Sequence, residues 1–93
     1  MGILLYSQGG LGMKTLKITE KVGEQCMTTE LRVVAIVTNE SKVVTESRTY
    51  GKYGQEVHRF HRPNFRELMR TGWFQWRIAD GCTITYNLIE QED

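Results

Sequence analysis

Seven apolar residues near the C-terminus (Phe74, Trp76, Ile78, Cys82, Ile84, Tyr86 and Leu88) constrain this chain more than any other feature. They fall in two runs, each alternating with polar neighbours at the period of a half-buried strand. Asp80-Gly81 between the runs signals a reversal. A bare two-residue turn would set Ile78 opposite Thr83 and Trp76 opposite Thr85, so the two apolar sets would lie on opposite faces. A three-residue loop, Ala79-Asp80-Gly81, removes the conflict. Ile78 then pairs with Cys82, Trp76 with Ile84 and Phe74 with Tyr86, and Gly81 takes the left-handed position of that loop. The opposite face carries Trp73, Gln75, Arg77, Thr83, Thr85 and Asn87.

The same period of two governs the chain from Lys14 onward. Leu16, Ile18 and Val22 alternate with Lys17, Thr19 and Lys21, with Glu20 interrupting the apolar side. After a turn at "GEQ", the segment "TTELRVVAIVT" places Leu31, Val33, Ala35 and Val37 on one face and Val34 and Ile36 on the other. A strand apolar on both faces belongs in the middle of a sheet. "NES" then turns the chain, "KVVTESRTY" reads as a more polar strand, "GKYG" reverses direction, and "QEVHRFH" is the weakest strand signal.

At Pro63 the period changes. Phe65, Leu68 and Met69 fall at i, i+3 and i+4, one stripe of a helix. Asn64 and Glu67 have the spacing of a capping box, Pro63 stands just ahead, and Gly72 supplies the stop. The expectation is an α+β domain: an antiparallel sheet of five or six strands with one short helix near residues 65–71. Residues 1–12 differ, with four of the nine glycines and no charge. They read as a flexible N-terminal arm ahead of a single domain over 13–93, the competing reading being that Ile3–Tyr6 docks as an extra strand.

The chain has 93 residues, enough for one domain with a modest core. No stretch approaches the ~20 apolar residues of a membrane helix, and the N-terminus lacks the features of a signal peptide. A soluble cytoplasmic protein is expected. In a reducing compartment the two cysteines, Cys26 and Cys82, are small buried side chains. Together with His58 and His61 they have the composition of a zinc site, but zinc sites draw cysteines in close pairs, and these stand far apart. Neither a phosphate-binding glycine loop nor a paired-carboxylate constellation is present. No cofactor and no catalysis are expected.

Charge is unevenly spread. Between Arg48 and Arg77 there are seven Lys or Arg against Glu56 and Glu67, whereas the other 63 residues hold five basic and nine acidic groups. The same window contains most of the aromatic residues. Arginine pairs carboxylate or phosphate in a bidentate fork, and exposed aromatics stack on bases or anchor in protein pockets. Arg59, Arg62, Arg66, Arg70 and Arg77, with Trp73 or Tyr53 as the aromatic anchor, are the candidate binding residues. Tyr50, Tyr53, Phe60 and Trp73 are the aromatics that the core leaves unclaimed. A non-catalytic module or inhibitor that docks on a larger protein is favoured over a nucleic-acid binder using the same surface. A dedicated nucleic-acid domain usually has a pI above ~9, against about 7.8 here.

Overall fold

A computed structural model describes residues 3–5, 13–49 and 52–91. In chain order the elements are β1 (Ile3–Leu5), β2 (Met13–Val22), β3 (Gln25–Val37), a 3-10 turn (Thr38–Glu40), β4 (Lys42–Thr49), β5 (Lys52–Arg59), α1 (Arg62–Thr71), β6 (Trp73–Ala79) and β7 (Cys82–Gln91). All pairings are antiparallel, in the order β5-β4-β3-β2-β7-β6, with β1 added to the end of β3. This is the expected α+β arrangement. Ile3–Leu5 of the arm pairs with Ala35–Val37; residues 1–2 and 6–12 lie outside the described residues, as does the reversal at 50 and 51.

The long strand β3 holds the two halves of the sheet together. Its residues 25–32 pair with β2, and from Val33 onward it pairs with β4. A register shift lies between Val33 and Ala35, where the partner strand advances from Thr45 to Val44. Val34 is the extra residue of a bulge, which reverses the alternation. Ile36 therefore joins Val33 on one face, contrary to the uninterrupted alternation expected from the sequence. The core consists of Leu16, Val33, Ile36, Val43, Phe65 and Leu68.

The last hairpin keeps two of its three expected pairs, Phe74 with Tyr86 and Trp76 with Ile84. The third differs. Ala79, not Ile78, stands opposite Cys82, and the shift lies between Arg77 and Ala79. One extra residue is still needed to bring both apolar sets to one face, but the chain inserts it as a bulge at Ile78. The turn itself is then Asp80-Gly81, and Gly81 is left-handed at φ 77°.

Helix α1 starts earlier than expected. His61 is its N-cap and Pro63 lies within the first turn, where its fixed φ suits the helix and its missing N–H costs nothing. Phe65 N–H already donates to the His61 carbonyl at 2.9 Å. Asn64 is thus inside the helix, and the Asn64/Glu67 capping box does not form. Gly72 closes the helix at φ 79°, donating to the Leu68 carbonyl at 2.8 Å.

Two of the left-handed glycines, Gly72 and Gly81, should respond differently to alanine. A Cβ at Gly81 would meet nothing within 4 Å, whereas one at Gly72 would stand 3.2 Å from the Leu88 carbonyl oxygen. Gly81→Ala should cost about 1–2 kcal/mol from the backbone alone, and Gly72→Ala should cost more. Urea unfolding of the two variants checks this; equal losses would contradict the close approach at Gly72.

Candidate functional site

The face of α1 that meets the sheet is fixed by Phe65 and Leu68, both buried. A step of four residues advances a helix by ~6 Å and turns it by only ~40°. Arg62, Arg66 and Arg70 therefore form a row along one flank, next to the buried stripe. The structure sets this row against the 3-10 turn and the start of β4. Arg62, Arg66 and Arg70 line a groove of about 550 Å3 with Thr38, Ser41, Phe65 and Met69. The apolar part of this lining comes from Phe65 and Met69, and the hydroxyl residues Thr38 and Ser41 stand across from the helix.

The three arginines are not equivalent. Arg70 is paired with Glu67, one turn back: its Nη2 donates to both carboxylate oxygens, at 2.8 and 3.0 Å. Arg62 and Arg66 are exposed and have no ion-pair partner among the described residues. Ser41, buried and left-handed at φ 53°, shapes the opposite wall; it donates from its N–H to the Thr38 carbonyl and accepts from the Phe60 N–H at 2.9 Å.

The other candidate residues are not among those lining this groove. Arg59 ends β5 opposite Lys42, on the strand face opposite His58. Its charge reaches Glu40, whose carboxyl is held below its usual range chiefly by the hydrogen bond and charge of Lys42 at 2.8 Å, with a smaller contribution from Arg59. Trp73 and Arg77 alternate with Phe74 and Trp76 along β6 and share the sheet face turned away from the helix, about half of Trp73 being exposed. Tyr53 pairs with Arg48 at the far end of β5, ~20 Å along the strand from Arg59. The expected surface of five arginines and an aromatic anchor therefore does not assemble. Three arginines come together, and the aromatics proposed to accompany them do not.

The allocation of aromatics between core and surface also changes. Phe60, expected to be unclaimed, packs on the core with its ring 4.8 Å from Tyr86 and 6.5 Å from Phe65. Trp76, expected to be core, is 39% exposed and carries the His61 ring stacked at 5.6 Å. Beyond it the sheet runs on without a covering helix, and Val22, Met27 and Ile78 are each more than half exposed. Sequence reasoning missed Thr38 and Ser41. "TNES" announces a turn, but nothing in it tells that the turn faces a helix more than 20 residues later.

Among the described residues, no group of three or more His, Cys, Asp and Glu side chains could hold a metal. The register sets Cys26 beside Lys21 and Cys82 beside Val22, neighbouring positions of β2 that point to opposite faces; both cysteines are free. No helix among the described residues is long and apolar enough to cross a membrane. Comparison with known proteins gives no matching family model, curated protein or solved structure.

His58 faces inward, its Nε2 2.9 Å from the hydroxyl of the fully buried Thr45 and 3.6 Å from the Glu56 carboxylate. Burial holds the imidazole below its usual 6.5, and the Glu56 charge opposes this. The folded state therefore favours neutral His58. This contribution to stability is intact above the unfolded-state pKa of ~6.5 and is lost as pH falls from there toward the folded value. His58→Gln should flatten the acid side of the profile. Unfolding free energies of the two proteins from pH ~7.5 to ~5.5 are the measurement; a difference that stays constant across this range would contradict it.

Proposed function

We propose that this chain is a small non-catalytic module, or inhibitor, that docks on a protein partner through the arginine row of α1. The observation that carries the reading is the pair Arg62 and Arg66, exposed, without an acidic partner among the described residues, and standing over an apolar floor. Arginine is the residue best suited to a planar, bidentate grip on a carboxylate, and together with apolar contact it forms the usual hot spots of protein interfaces.

Two features favour protein over nucleic acid. A single-strand binder lines its basic groove with aromatic platforms; here Trp73 is on the other face of the sheet and Tyr53 at its far end. The exposed apolar side chains Val22, Met27 and Ile78 add a surface suited to protein contact and of no use to a phosphate backbone. The non-catalytic reading is supported by the hydroxyl–imidazole pair of Thr45 and His58, in which the hydroxyl is fully buried and out of reach of a substrate. Two free cysteines go with a reducing, cytoplasmic setting.

The test is a pull-down from native lysate with and without nuclease, followed by affinity measurements on what is recovered. A protein partner should survive nuclease. Arg62→Ala/Arg66→Ala should weaken its binding by about 2–5 kcal/mol, mainly through faster dissociation, with thermal unfolding unchanged. Recovery of nucleic acid alone, with affinity falling steeply with salt, would overturn the reading.

A further inference from the structure

The proposed site also restricts the shape of what it binds. We propose that the arginine row receives an extended acidic segment with carboxylates at every second residue, and that Glu67 acts as an internal competitor for the third position. This rests on the docking reading above and goes beyond it.

The argument is one of matched spacing. Arg62, Arg66 and Arg70 rise ~6 Å per step along the helix axis. In an extended chain, side chains on one face recur every ~6.6 Å. A strand-like peptide laid along α1 thus presents one carboxylate per arginine over three positions, the ~40° turn per step being taken up by the long arginine side chains. The residues between the acidic positions face the opposite way, clear of the arginines. Phe65 and Met69 offer apolar contact to the stem of each bound side chain.

Charge sets the number of sites filled. Arg62 and Arg66 are open to a ligand, whereas the Nη2 of Arg70 is already shared between the two oxygens of Glu67 at 2.8 and 3.0 Å. A third carboxylate that takes the Nη2 of Arg70 must displace Glu67 from a pair that is itself exposed and therefore weak. The row then binds two charges readily and a third by exchange.

The experiment uses the full chain and three labelled probes in anisotropy titrations. The first is a peptide of about eight residues with Glu alternating with Thr. The second has the same composition with its Glu in one block, and the third is a single-stranded deoxythymidine oligomer of equal charge. The alternating peptide should bind about three- to fivefold more tightly than the block peptide, the range one exposed ion pair supplies. Glu67→Gln should tighten the alternating peptide by a similar factor and leave the block peptide nearly unchanged. Equal binding of the two peptides, or no gain from Glu67→Gln, would overturn the inference while leaving the docking reading to its own pull-down. Tighter binding of the oligomer than of either peptide would overturn both.

Discussion

The packing of Leu68 and Phe65 into the bend of the sheet is the contact on which the rest of the molecule depends. Leu68 is fully buried and reaches a core drawn from three strands, Leu16 of β2, Val33 and Ile36 of β3, and Val43 of β4. Burying a side chain of this size contributes about 1.5–3 kcal/mol. The location matters as much as the amount. β3 changes partner strands at Val33, and the bulge at Val34 turns Ile36 toward the same side. Without that turn the second half of β3 would present Ala35 to the helix, and the core would lose its largest contribution from this strand.

Once those two residues commit one stripe of α1 to the core, little freedom remains for the others. Arg62, Arg66 and Arg70 must share a flank, because a four-residue step hardly rotates a helix. The left-handed Ser41 brings the 3-10 turn back against that flank, and the bond from the Phe60 N–H to the Ser41 carbonyl fixes the end of β5 beside it. The groove is therefore made by the fold itself. Its basic character comes from the helix and its depth from a turn that carries no charge of its own except the Glu40–Lys42 pair.

Much of this was legible in the sequence wherever period and parity decide the outcome. Phe65, Leu68 and Met69 named the helix face, Gly72 and Gly81 named the left-handed stops, and the parity of the last hairpin required one extra residue. Parity could not say where that residue goes. A three-residue loop and a bulge at Ile78 satisfy it equally, and the choice depends on twist and on contact between hairpin tips, such as the Gly23 N–H donating to the Gly81 carbonyl at 2.8 Å. Val34 was illegible for a similar reason, since a run of β-branched residues on both faces hides a reversal of alternation. The candidate site was half visible. The four-residue spacing of Arg62, Arg66 and Arg70 is local, but it makes a row only because the helix begins at Arg62, ahead of the expected start; the separation of Trp73, Arg77 and Tyr53 from it is a matter of which sheet face and which strand end each occupies.

The claim that the α1 flank is the binding surface has a direct measurement in arginine-specific chemical labelling of the chain alone and in complex with its recovered partner, read by mass spectrometry. Arg62 and Arg66 should be reactive in the free chain and protected in the complex. Arg77, exposed on the opposite face of the sheet, should react equally in both. Protection of Arg77 with Arg62 and Arg66 left reactive would contradict the account and move the binding surface to the outer face of β6.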